Sequence, residues 1–334
     1  MEGISAGISQ ILILALIVVL GFVLSKLNFI DEHTSNKLVA LLINVTLPCM
    51  IIASTSSVEF NQIANQIPLV CGLGILLFLA MVLISGIAAF LLRVNSDTFV
   101  CFIFSGICTQ TAFIGVPVIA AVLGDSTIIL TSLIVAIINV FLFSVGIAML
   151  VVDQQLRESR GQVSADNQKK FSLSNALSRV SLSWKSFVNP ALVAALLALA
   201  LLFFRIPVPY VLGSALDMVG GLTAPISMMV IGFYVSRMHV KESLSQWRVF
   251  LFGFIRFFLG SVALFYVLSI FITDNLIVSI AVLEFAMPTG AMVPAFIASH
   301  KGDALLASEH TVISAVLSFV YLPIIIAIMM LFPL

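Results

Sequence analysis

Four prolines constrain this chain more than any other residues. Pro48 and Pro117 recur as Pro225 and Pro294, and both pairs lie 177 residues apart (225 − 48 and 294 − 117). Each sits inside a stretch otherwise apolar enough to span a bilayer. A proline within a helix removes a backbone hydrogen bond and clashes with the preceding turn. The chain therefore reads as two repeats, with helix interruptions in matching places.

The setting is a membrane. Of the 334 residues, 61% are hydrophobic and only 9% charged, against about 25% charged in a soluble domain. A spanning helix needs about 20 apolar residues. Ten segments qualify, roughly 6–26, 36–56, 67–92, 98–123, 126–151, 189–205, 210–236, 247–272, 275–299 and 304–332. The expected class is all-α integral membrane. The run from Ile8 to Leu24 has no basic flank before it and no small-residue cleavage site after it, so it reads as a retained first helix. Formal net charge is zero, and nothing points to nucleic acid. Cys49, Cys71, Cys101 and Cys108 match no zinc spacing and read as buried thiols.

Lys and Arg fix the orientation. Thirteen of them fall in loops on one side, from Lys26 and Arg93 to Lys301, and only Arg205 on the other. This predicts a plasma-membrane protein with both termini extracytoplasmic. The division is a first repeat over 1–152, a cytoplasmic linker over 153–187 and a second repeat over 188–334. In the linker, Leu173, Leu177, Val180 and Trp184 fall at helical spacing beside basic residues, which suits an amphipathic helix on the inner leaflet; a solvated linker is the plainer reading.

Five helices per repeat invert the second half relative to the first, giving a 5+5 inverted repeat. The fourth segment reads Thr109-Gln110-Thr111-Ala112-Phe113-Ile114-Gly115-Val116-Pro117. The ninth reads Glu284-Phe285-Ala286-Met287-Pro288-Thr289-Gly290-Ala291-Met292-Val293-Pro294. Both look like unwound backbone followed by a new half-helix with Pro in its first turn. Unwound backbone at that depth survives only where protein buries it or a wet cavity lines it. Half-helix N-termini near Pro117 and Pro294 would aim N–H groups and positive dipole ends at the midplane, an anion site made of backbone. Paired interruptions of this kind mark the binding site of secondary transporters.

Nearly end to end, the chain resembles the auxin efflux carrier family of membrane transporters. The likeness runs through Asn44-Val45-Thr46-Leu47-Pro48, Phe113-Ile114-Gly115-Val116-Pro117, Asn189-Pro190, Ala224-Pro225-Ile226-Ser227, Ala286-Met287-Pro288-Thr289 and Leu317-Ser318-Phe319-Val320-Tyr321-Leu322-Pro323. The resemblance implies ten helices with the fourth and ninth broken and crossing, and a transport domain that shifts against a scaffold like an elevator. It also implies organic-anion substrates, such as malate or malonate in bacteria and auxin in plants, within a superfamily that includes bile-acid/sodium symporters. Where the family commonly has an asparagine before the Gly-x-Pro break, this chain has Gln110, the same amide on a longer arm.

Gln110, Thr111 and Thr289 are the side chains expected to contact substrate, with backbone around Gly115–Pro117 and Pro288, Gly290 and Pro294, and with Asn44 nearby. Glu284 lies nine residues into its segment, about 14 Å deep at 1.5 Å per residue; Arg256 reaches a similar depth from the other face. An ion pair between them is expected, since either alone in hydrocarbon is costly. Glu284 could carry a coupling proton or bind sodium, Arg256 could hold a substrate carboxylate, or the pair could be structural. Asn139 joins them as an ion-coupling candidate. Asp217, Glu309 and His310 read as structural groups near helix ends. No cofactor is expected beyond a coupling H+ or Na+. The expected partners are the organic anion and the bilayer, with a homodimer allowed by small-residue spacings such as Gly3-x-x-x-Gly7 and Gly220-x-x-x-Ala224. No H-E-x-x-H motif appears, and no nucleophile has a histidine partner, so an enzyme is not expected. A channel or a sensor using the same anion site are the rival readings.

Overall fold

The computed structural model describes residue 13 and residues 16–57, 65–161, 190–237 and 246–331. The candidate amphipathic helix at 173–184 and the Gly3/Gly7 spacing lie outside them. Among the described residues every regular element is helical, apart from one antiparallel backbone bridge between Thr109 and Thr289.

Among the described residues, six helices are long and apolar enough to cross a membrane: Glu32–Ala53, Ile67–Leu91, Asp125–Glu158, Tyr210–Ser236, Trp247–Phe271 and Ala304–Leu331. The other expected segments are shorter for identifiable reasons. The first is described only over Leu16–Lys26. The fourth and ninth stop at their interruptions, leaving Ser96–Ile107 and Asn275–Phe285 as separate helices. The sixth, Pro190–Phe203, has 14 residues. Ends are capped by local chemistry: Asp31 accepts the Thr34 N–H at 2.7 Å, and Asp274 accepts from the Leu276 and Ile277 N–H groups. Hydrogen bonds from Thr34 hold the Asp31 carboxyl below the usual carboxylate range.

Among the described residues, four π turns interrupt the helices, at Leu42–Thr46, Thr111–Gly115, Leu142–Gly146 and Phe254–Leu259. Such turns insert a residue and often accompany function. The 177-residue offset also appears in the backbone. Asn28 and Arg205 both have positive φ, and so do Gly124 and Lys301; each pair is 177 apart (205 − 28 and 301 − 124). The half-helices after the two interruptions begin at Val116 and Val293, again 177 apart.

The helices pack as two groups. Leu47–Ala53 packs closely on Tyr210–Gly220 and Pro190–Phe203. Glycines tighten this group. A Cβ on Gly232 would strike the Val18 carbonyl oxygen, one on Gly21 the Met229 carbonyl oxygen, and one on Gly220 would lie 2.6 Å from the Cα of Met50. Gly220 thus serves packing within the chain. In the second group, Ile67–Leu91 lies on Ile128–Phe141 and Ser96–Ile107, Gly260–Phe271 on Asn275–Phe285, and Val293–Ser299 on Ala304–Leu331. The groups meet where Pro190–Phe203 touches Ile128–Phe141 and where Thr223–Ser236 touches the Thr111–Gly115 turn.

Candidate functional site

The two interruptions meet each other. Gln110 donates its backbone N–H to the Pro288 carbonyl at 2.8 Å, and Gly290 donates to the Cys108 carbonyl at 2.7 Å. Two short extended segments therefore pair in the middle of the helical body. The stretch from Ala286 to Gly290 is otherwise sealed by side chains. Tyr321 Oη donates to the Ala286 carbonyl at 2.9 Å, Thr311 Oγ1 donates to the Gly290 carbonyl at 3.2 Å, and Ser314 Oγ accepts the Thr289 N–H at 3.0 Å. This is how unwound backbone survives away from water: neighbours supply the partners that the helix has lost.

These bonds divide the expected substrate contacts. Thr289 is buried, and its hydroxyl donates to the Ser105 carbonyl at 2.9 Å. Pro288, Thr289 and Gly290 are thus engaged in holding the break together. Gln110 differs. Its backbone pairs with Pro288, and the residue is buried, though less completely than Thr289. Thr111 is buried beside it, and the buried Thr109 hydroxyl has no hydrogen-bond partner. Asn44 lies apart from the break, exposed, and donates to the Ala40 carbonyl at 2.7 Å. Asn139 is half-buried near the end of Ile128–Phe141.

The half-helix expected near Pro117 starts earlier. Ile114 and Gly115 both donate to the Gln110 carbonyl, at 3.0 and 3.1 Å, and Val116 donates to the Thr111 carbonyl. The π turn consumes the N–H groups around Gly115–Pro117, so the open N-terminal end lies at Thr111 and the residues just after it. Pro117 and Pro294 sit within the first two positions of their helices, where a missing N–H costs least.

The expected ion pair does not form. Glu284 is fully buried, and neither carboxylate oxygen has a hydrogen-bond partner. Its carboxylate rests on the first break: a Cβ on Gly115 would lie 2.6 Å from Glu284 Oε1. A charge buried this way needs a partner. A bound proton or a cation would supply it.

Arg256, also fully buried, turns elsewhere. Its Nε donates to the Gly106 carbonyl at 3.0 Å and to Ser85 Oγ at 3.2 Å, and its Nη1 donates to the Phe285 carbonyl at 3.2 Å. The guanidinium lies 4.0 Å from the Phe285 ring centroid and 5.0 Å from that of Phe257. Gly106 and Phe285 stand at the ends of the helices that lead into the two interruptions. Helix C-termini carry orphan carbonyls and partial negative charge. One arginine thus caps both, and no hydrogen of it reaches Glu284. His310 does not reach interfacial water either: it is buried edge-on against Phe102 and Phe252, with ring centroids 4.3 and 5.1 Å away.

Sequence reasoning missed Ser85, Ser105, Thr311, Ser314 and Tyr321. A signal for three of them was present. Thr311, Ser314, Ser318 and Tyr321 form a polar stripe at helical spacing on an otherwise apolar helix. Among the described residues, no three His, Cys, Asp or Glu side chains gather as a metal site.

A family profile described as "Membrane transport protein" matches residues 6–326. Curated proteins yield no match. Among solved structures, the sodium proton antiporter MjNhaP1 from Methanocaldococcus jannaschii aligns at a TM-score of 0.50 and 15% identity, over 98% of this chain and 96% of that one. At that identity the likeness speaks for the fold alone. Two apolar helices that break and pair, inside an antiporter-like fold and under a family match running almost from end to end, make this chain a member of the membrane transport protein family, the family of the auxin efflux carriers that its sequence resembles.

Proposed function

We propose that this membrane transporter is a secondary active carrier of small organic anions, mono- or dicarboxylates, coupled to protons or sodium. The observation that carries this reading is the pairing of the two interruptions, with Gln110 on one side and the unpartnered Glu284 carboxylate against Gly115 on the other. The N-terminal end at Thr111 favours a bound anion. Gln110 and Thr111 hydrogen-bond the substrate, and Glu284 takes the coupling ion. Pro288, Thr289 and Gly290 hold the shape of the site. Asn44, Pro294 and Asn139 play lesser roles in this reading.

Counting Ser96–Leu123 and Asn275–Ser299 as one crossing each gives ten crossings, five on either side of the 153–187 linker. An odd number per half inverts the second repeat; the positive-φ residues 177 apart support that register. The glycine-tightened group around Gly21, Gly220 and Gly232 acts as scaffold. The group holding both interruptions moves against it as an elevator. The Lys and Arg bias orients both termini to the outside of the plasma membrane.

The test is flux. Labelled malate, malonate, pyruvate and indole-3-acetate are offered to proteoliposomes under imposed proton and sodium gradients in turn. Saturable uptake driven by one gradient and lost in Gln110→Ala supports the reading. Absence of flux for every anion under every gradient sinks it.

A further inference from the structure

We propose that the basic end of the molecule holds a site for an anionic phospholipid, with its phosphate between Arg93 and Arg157. A cavity of about 830 Å³ opens there between the end of Ile67–Leu91, the start of Ser96–Ile107 and the helix Ile147–Gly161. Arg93, Phe99, Asp153, Leu156 and Arg157 are among the residues that line it.

Charge is the first argument. Arg157 is held by Asp153, Nη2 to Oδ2 at 2.7 Å, and reaches the His300 and Lys301 carbonyls at 3.4 and 3.5 Å. Its Nε remains buried without a partner. Arg93 is exposed at the mouth, its backbone in the left-handed region at φ 49°. Two guanidiniums against one carboxylate leave the cavity net positive, and guanidiniums suit phosphate.

The surface leading to the cavity is the second argument. Leu76, Leu79, Leu83, Ile87 and Phe90 are all exposed on one helix, with Phe90 at 76%. They recur at helical spacing and form an apolar track that ends at the cavity. A free anion has no use for such a track; an acyl chain does. Basic pockets between helices on the cytoplasmic side bind anionic headgroups in this way, and the Lys and Arg bias assigns this end to that side.

The proposal is independent of the transported substrate. Its test uses the full chain in neutral detergent, with phosphatidylglycerol or phosphatidylcholine added and bound lipid counted by native mass spectrometry. Phosphatidylglycerol is expected to be retained preferentially. Arg93→Gln is expected to weaken it about five-fold, Arg93→Lys to keep it, and Arg205→Gln, at the opposite end, to leave it unchanged. Phe90→Ser is expected to weaken the lipid without affecting inorganic phosphate. Equal retention of the two lipids, or an unaltered Arg93→Gln variant, overturns the site. Inorganic phosphate competing as well as the lipid overturns the lipid assignment in favour of a soluble anion.

Discussion

Glu284 rests its carboxylate directly on the backbone of Gly115, so closely that an alanine methyl at 115 would lie 2.6 Å from Oε1. The glycine therefore sets where the carboxylate can sit. Glu284→Gln is expected to fold and to bind substrate, yet to lose the dependence of uptake on the coupling gradient. Gly115→Ala should have the same effect by displacing the carboxylate. Glu284→Asp, one methylene shorter, should relieve Gly115→Ala. Proteoliposome uptake with and without the gradient reads all three. Gradient dependence that survives in Glu284→Gln would remove the coupling role.

Arg256 caps the carbonyls of Gly106 and Phe285 at once. Arg256→Met strands both, and each unsatisfied buried group costs about 1–3 kcal/mol. A large drop in melting temperature is expected in detergent. Arg256→Lys keeps the charge and loses the fork, so it should melt between the two. A wild-type melting temperature for Arg256→Met would show that the caps carry little.

Thr289 and Gln110 should separate cleanly. Thr289→Val removes a buried donor to Ser105 and is expected to cost about 1–2 kcal/mol of stability. Gln110→Ala should cost less stability than Thr289→Val, since no side-chain hydrogen bond of the break is removed, and should lose uptake. Thermal unfolding beside flux on the same preparations distinguishes structural from substrate-binding loss. The reverse pattern would exchange their roles.

Gly232 and Gly72 form a matched test of helix packing. A Cβ on Gly232 would strike the Val18 carbonyl oxygen, whereas one on Gly72 meets nothing within 4 Å. Gly232→Ala is expected to destabilise by about 1–3 kcal/mol or more. Gly72→Ala should be neutral or slightly stabilising through helix propensity. Size-exclusion profiles and melting curves report both.

Much of this was legible because prolines and charges act locally. Pro117 and Pro294 announced the half-helices, whose α-helical turns begin one residue before each, where a proline's missing N–H costs least. What stayed hidden was direction around the helix axis. Arg256 and Glu284 are both fully buried, but Arg256 lies in the Phe254–Leu259 π turn. The extra residue of such a turn resets which face a side chain occupies. The Thr111–Gly115 turn likewise moved the open helix end from Pro117 to Thr111. The partners of Thr289, Ser105 and Ser314, were out of reach of the sequence because they lie 184 and 25 residues away. No local pattern encodes such pairings.

The bridge between Thr109 and Thr289 has a mechanical meaning. Its two hydrogen bonds join short extended segments from opposite halves of the chain, among largely buried residues. Sliding one interrupted helix along the other would break both at once. Bonds of this kind are worth about 4–6 kcal/mol each in an apolar medium. The crossing point is therefore a rivet rather than a hinge. Any stroke that carries cargo must carry both interrupted helices together, and its flexing parts must lie outside them.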